Sequence, residues 1–293
     1  MTAQRAQATH HPGLLFLARH SRFTTWTEML PAASSTPSVL VETANRITII
    51  TINRPEKRNC VDRPTADALS AAFRHFDQDA QADVAILTGA GGNFCAGADL
   101  SALVSGDRTN RVSTNMDDDG PMGPTRMRLS KPVIAAVSGY AVAGGLELAC
   151  WCDLRVVDRT AVFGVFCRRR GVPLIDGGTI RLPRLIGESA ALDLILTGRD
   201  VAAEEAMQLH LANRMSSTTA LDEAVRLAQL LCSHPQTCMR GDLQSVHAAA
   251  DAPDMKSALQ TEMAYGLLAL ESDEFRSPTN RFLHQGNANK SKL

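Results

Sequence analysis

The sequence predicts an α/β core of repeated strand–turn–helix units, followed by a helical final third. Three observations carry this reading. Short runs rich in Val and Ile recur through the first two thirds and end in turns bearing glycine. Helical spacing follows several of those turns, and from Arg181 onward it is the dominant pattern. Strands alternating with helices define an α/β class, although periodicity does not separate repeated β-β-α turns from a doubly wound sheet.

Val39–Val41 and Ile47–Ile52 predict a hairpin across a turn at Thr43–Arg46, and Pro55 ends the second strand. Pro64 suits the first turn of a helix carrying Leu69, Phe73 and Phe76 at helical spacing. Val84–Thr88 reads as a strand broken by Gly89-Ala90-Gly91-Gly92, and a short helix is expected near Asp99. The segment from Gly106 to Thr125 is polar and predicts a mobile loop. Its Asp117-Asp118-Asp119 run lacks further ligands at a cation-binding spacing and reads as a solvated face. Val133–Val137 is the next strand, Leu146–Cys150 a helix and Leu154–Val157 a strand. Helices are then expected over Ala190–Leu196, Ala203–Leu209, Leu221–Leu231 and about Ser257–Leu270.

The chain has 293 residues, 44% hydrophobic and 21% charged, which fits one large domain or one domain with a small appendage. A formal net charge of −1 gives no reason to expect nucleic acid or an anionic membrane as a partner. No apolar run reaches the ~18–20 residues that span a bilayer. The seven cysteines lack framework or metal spacing; Cys150 and Cys152, one residue apart, form neither a redox pair nor a zinc knuckle. Reduced core thiols are the expectation.

The two ends read as addresses. Residues 1–37 carry Arg5, Arg19 and Arg22 but only Glu28 as an acid, which is transit-peptide-like; a disordered leader is the alternative. Ser291-Lys292-Leu293 spells the peroxisomal import tripeptide, for which an import receptor is the expected partner. Peroxisome is the first expected location and mitochondrion the second.

Two loops share one design, an apolar strand, a glycine turn and a helix N-terminus. They are FCAGADL at 94–100 and GYAVAGGLELAC at 139–150. Glycine lets a backbone N–H approach a ligand, and a helix N-terminus adds unpaired donors. Two such donors converging on one oxygen would stabilise a developing oxyanion, whereas structural turns are the plain alternative for either loop alone. Phosphate motifs fail: Phe94 stands where a dinucleotide fingerprint needs glycine, and Ala98-Asp99 follows Gly97 where a P-loop needs Lys-Ser/Thr. That argues against a nucleotide-binding oxidoreductase.

These loops, with Asn53-Arg54-Pro55, Lys57-Arg58-Asn59 and Leu182-Pro183-Arg184, resemble the ordered signature of the enoyl-CoA hydratase/isomerase (crotonase) family from about Ser38 to Pro235. The resemblance implies a crotonase-like β-β-α spiral core over 38–235, an α-helical C-terminal lobe over 236–290, and a homotrimer or hexamer. It implies an acyl-CoA thioester substrate with no metal or redox cofactor, and the N–H groups of Ala98 and Gly144 as oxyanion donors. CoA would lie along Lys57, Arg58 and Cys60 and along Ala96, Asp99 and Leu100.

An acid or base is still required. Glu147 follows Gly144 by three residues and matches one family glutamate; a helix-capping glutamate is the structural alternative. The resemblance places a second glutamate four residues after Phe163, where this chain has Cys167. A thiolate there needs a depressed pKa, for which Arg168, Arg169 and Arg170 are the adjacent cations; an inert thiol is the alternative. Asp176 before Gly177-Gly178 is a further candidate acid, or simply a turn former. The expected function is therefore an acyl-CoA lyase or isomerase acting through a thioester enolate. The alternatives are a catalytically silent acyl-CoA-binding subunit, or a decarboxylase or hydrolase working without the second glutamate.

Overall fold

The computed structural model describes residues 36–106 and 109–276. The leader up to residue 35 and the tripeptide Ser291-Lys292-Leu293 lie outside the described residues.

Strands β1 (Val39–Ala44) and β2 (Ile47–Ile52) pair antiparallel. Asn45 and Arg46 turn between them with φ of 52° and 67°, the left-handed pair that matches the twist of a two-residue hairpin. Asp62 caps helix α1 (Arg63–Gln78) by accepting from the Thr65 N–H at 3.1 Å. Parallel strands β3 (Val84–Gly89), β4 (Val133–Val137), β6 (Leu154–Val157) and β9 (Arg214–Met215) then add in turn to one edge, giving the order β1-β2-β3-β4-β6-β9. The order never reverses, so the chain spirals in one direction and has none of the switch point of a doubly wound sheet.

Both faces of this sheet are covered, which explains the unbroken apolar runs in its strands. Leu87, Ala135 and Val157 face the main core with Phe73 and Phe76 of α1. Ile86, Ile134 and Val156 face Ala220, Ala224 and Leu227 of helix α7 (Ala220–Cys232). A second sheet of three short strands, β5 (Tyr140–Val142), β7 (Val162–Gly164) and β8 (Val201–Ala202), has no counterpart in the sequence reading. Between β5 and β6 lies α3 (Gly144–Trp151). The remaining helices are α2 (Leu100–Ser105), α4 (Gly178–Ile186), α5 (Glu188–Thr197), α6 (Ala203–Gln208), α8 (Gln236–Ala249) and α9 (Met255–Glu271).

Helix α8 opens the expected C-terminal helical lobe, although no helical run was marked over its own residues. It is tied to the core by Gln244, which donates to the Leu129 carbonyl at 2.7 Å, and by His247 beside Asp153 at 2.9 Å. Helix α9 lies outside it with no buried residue, leaving Leu259, Met263 and Leu267 exposed. In the segment expected to be mobile, residues 109–125 make defined contacts. Asn110 donates to the Val61 and Pro121 carbonyls, and Asp119 pairs with Arg74. The described residues hold no cluster of acids, His or Cys fit for a metal.

Candidate active site

The loop after β3 is held on both sides. Its Cys95 N–H donates to the Tyr140 carbonyl at 2.8 Å, and the Val142 N–H donates back to Cys95 at 3.1 Å. On the other side the Val61 N–H donates to Gly97 and the Asp99 N–H to Val61, both at 2.9 Å. This ladder uses the Gly97 carbonyl and the Asp99 N–H on either side of Ala98 and leaves the Ala98 N–H unused. Gly144 opens α3, where the first N–H groups have no partner within the helix. Among the described residues, no protein acceptor takes the N–H of Ala98 or of Gly144.

Two glycines let these backbones meet. Gly97 has φ +99°, and a Cβ there would lie 3.1 Å from the Gly144 nitrogen. A Cβ on Gly145 would lie 2.0 Å from the Cys95 carbonyl oxygen. Ala143, just before Gly144, holds φ 53° and ψ −125°, a strained conformation for an L residue at the turn that aims the donor. Two N–H groups without a protein acceptor, one of them on a helix N-terminus, are the kind of donors that can stabilise a developing oxyanion. Gly97→Ala is expected to keep the fold and lower kcat/KM by about 10²–10³-fold, the scale of losing one such donor. Wild-type kcat/KM in a steady-state assay of that variant would refute the placement.

Ala98 and Gly144 line a cavity of about 620 Å³ that also takes in Glu147, Cys167 and Asp176. Glu147 does not cap its own helix. Its Oε1 accepts from the N–H of Asp176 at 2.9 Å and of Gly178 at 2.8 Å, across to the start of α4. Glycine at 178 eases this approach, since a Cβ there would lie 3.0 Å from that same oxygen and the Glu147 side chain would have to shift. Asp176 Oδ1 in turn accepts from the Met122 N–H at 2.9 Å and from the Thr125 hydroxyl. Each carboxyl is thus fixed through one oxygen, and among the described residues the other oxygen has no protein donor.

Burial pushes Glu147 up to about 7, and neighbouring Asp176 pushes it the same way against the two backbone N–H groups and Arg181. Burial also raises Asp176, against the hydrogen bonds from Thr125 and Met122. Arg181 braces the pair without pairing either carboxylate, donating to the carbonyls of Asp176 at 2.9 Å and Thr125 at 2.7 Å. Thr125, Met122 and Arg181 escaped the sequence reading; a lone Arg in the first turn after Gly177-Gly178 was the available signal.

Cys167 lines the cavity, but burial raises its thiol and the Glu147 carboxylate raises it further. The adjacent arginines do not produce a thiolate: Arg168 donates to the Ile195 carbonyl at 3.2 Å, and Arg169 pairs with Asp200 at 2.5 Å. Of the residues expected to hold CoA, Arg58, Ala96 and Leu100 line the cavity. Lys57, Cys60 and Asp99 do not. Asp99 caps α2 and accepts from Arg54 at 2.9 Å and Lys57 at 2.8 Å. Burial alone would raise that carboxyl, yet Lys57 and Arg54 hold it well below the usual carboxylate range. Cys60 gives its carbonyl to Arg54 at 2.5 Å. This cluster anchors the wall behind Ala98.

Two N–H groups without a protein acceptor and two buried carboxyls line one cavity of this α/β fold, an arrangement suited to an enzyme that acts beside a carbonyl group. The family model described as enoyl-CoA hydratase/isomerase matches residues 42–289. Relatives include an enoyl-CoA hydratase of Mycobacterium tuberculosis, 32% identical over 86% of this chain and 96% of the relative. A mevalonyl-coenzyme A hydratase of Aspergillus fumigatus is 35% identical over 77% and 85%. A crystal structure of an enoyl-CoA hydratase from Mycobacterium tuberculosis superposes with a TM-score of 0.79 at 35% identity, covering 85% of this chain and 97% of that one. The chain belongs to the enoyl-CoA hydratase/isomerase family and has its crotonase fold with C-terminal helices.

Proposed function

We propose that this chain adds water to, or removes it from, an acyl-CoA thioester, with Glu147 and Asp176 as the acid–base pair. The observation that carries the reading is one cavity holding two buried, anchored carboxyls beside two N–H groups without a protein acceptor. The thioester carbonyl oxygen accepts from Ala98 and Gly144. One carboxylate takes a proton from water as its oxygen bonds to the β-carbon, and the electron pair of the double bond moves toward the carbonyl as the enolate. The other carboxyl, protonated, delivers a proton to the α-carbon. Dehydration is the reverse. Burial raises both carboxyls, Glu147 to about 7, so Glu147 can hold or release a proton near neutral pH. Cys167, neutral and buried, takes no step. Arg58, Ala96 and Leu100 form the wall for CoA.

Asp176→Asn is expected to lower hydration by at least about 10²-fold, the scale of one general acid or base. The test offers purified protein a panel of enoyl-CoA thioesters in heavy-oxygen water and follows mass gain. Undiminished label uptake by the variant would reject Asp176. Absence of both uptake and α-proton exchange in the wild type would instead support a silent acyl-CoA-binding subunit. Peroxisomal import through Ser291-Lys292-Leu293 and a trimeric or hexameric assembly belong to the same proposal. A fluorescent fusion with and without the tripeptide, and light scattering, test them.

A further inference from the structure

The three arginines after β7 have unequal surroundings. The short 3₁₀ turn Phe166–Arg170 ends at Gly171, with φ +70°. Arg168 is spent on the Ile195 carbonyl at the end of α5. Arg169 donates to the Gly198 carbonyl at 2.9 Å, pairs with Asp200, and stacks on Phe166 with its guanidinium carbon 3.9 Å from the ring centre. Arg170 differs. It lines the cavity beside Val172, Pro173 and Ile175, and among the described residues no hydrogen bond, ion pair or ring contact engages its guanidinium. The cations that bear most on Glu147 and Asp176 are Arg181 and Arg126, and Arg170 is not one of them.

We propose that Arg170 selects acyl-CoA thioesters whose acyl group ends in a second carboxylate. The inference rests on the reading of the cavity as an acyl-CoA site. In that reading the wall of Arg58, Ala96 and Leu100 takes CoA. Of the remaining lining, the segment 110–122 and the wall after β7, only the wall after β7 carries a cation unpaired among the described residues, toward which an acyl end could reach. Val172, Pro173 and Ile175 suit the methylene segment of such a group. Arg170 is exposed at this wall, so a purely alkyl chain gains nothing from its guanidinium. A carboxylate accepts two parallel N–H bonds from the planar fork and replaces the water it displaces.

Binding of saturated thioesters tests the inference without relying on turnover. Succinyl-, glutaryl- and adipyl-CoA are titrated calorimetrically into the full-length protein against butyryl-, pentanoyl- and hexanoyl-CoA, with free CoA as control. The best dicarboxylyl thioester is expected to bind about 10–100-fold tighter than its matched partner, the worth of a charge-assisted hydrogen-bonded contact. Arg170→Gln is expected to bring the ratio to within about 3-fold, and Arg170→Lys to leave an intermediate ratio because it keeps charge without the fork. A ratio at or below one throughout the series overturns the inference. So does an Arg170→Gln variant that weakens free CoA and both thioester classes equally, since the cation would then serve the CoA phosphates. Failure of free CoA and every thioester to bind sinks the underlying acyl-CoA reading instead. Thermal denaturation of each variant confirms that it folds.

Discussion

Glu147→Gln is expected to lower kcat by about 10²–10⁴-fold and, above neutral pH, to make the protein more stable. The catalytic half follows from its place beside the two donor N–H groups. The stability half follows from its burial, which raises it from 4.5 to about 7. Between those values the folded chain holds a proton that the unfolded chain has released, so stability falls as pH rises through that window. Below about pH 4.5 both states hold the proton and nothing is lost. Above about pH 7 the deficit is complete, at about 3 kcal/mol for a shift of this size. Glutamine keeps the oxygen that accepts from Asp176 and Gly178 and carries no titrating proton. Wild type and variant should therefore unfold at similar denaturant concentrations near pH 5 and diverge near pH 8, with the variant ahead. A gap of equal size at both pH values would refute the buried-carboxyl account, and undiminished kcat would remove Glu147 from the mechanism.

Residue by residue, the fold was legible where one element's own pattern decides it. The Val and Ile runs of β2, β3 and β4 are apolar on both faces because α7 covers one and α1 the other. Strands β5, β7 and β8, of two or three residues each, exist because neighbouring backbones pair with them, and no periodicity develops over so short a span. Helix α8 buries only Gly241 and Ser245, so it shows no apolar stripe to read.

The site divides in the same way. Gly97, Gly144 and Gly145 announce close backbone approach within their own loops, and Glu147 stands a fixed step from Gly144. The groups that hold the carboxyls come from far along the chain. The N–H donors to Glu147 lie 29 and 31 residues away, and the Met122 N–H and Thr125 hydroxyl that donate to Asp176 lie 54 and 51 away. Such pairings leave no local signature, so a capping glutamate and a turn-forming aspartate remained open readings. Lys57 and Asp99 show the converse: both belong to the right loops, yet they pair with each other beside the cavity.

Arg155→Leu is expected to cost about 3–5 kcal/mol of stability through a group that touches no substrate, because several carbonyls lose their donor at about 1–3 kcal/mol each. Arg155 is 2% exposed on β6, and its guanidinium is used entirely on oxygens rather than on a carboxylate. It donates to the Leu211 and Cys152 carbonyls at 2.7 Å each, to Ala149 at 3.5 Å and to the Asn213 side chain at 3.4 Å. Ala149 and Cys152 mark the C-terminal end of α3, where carbonyls lack partners in the helix and a cation opposes the negative end of its dipole. The same helix carries Gly144 and Glu147 at its other end, so Arg155 fixes the base of the element that presents the site. Leucine fills part of the volume and supplies no donor. Lysine brings charge and up to three donors on a different stem, and should recover part of the loss. Thermal unfolding should show a drop of roughly 10 °C for leucine and less for lysine. A leucine variant within about 1 kcal/mol of wild type, or lysine no better than leucine, would show that these carbonyls find other donors and that α3 is held from its N-terminal end alone.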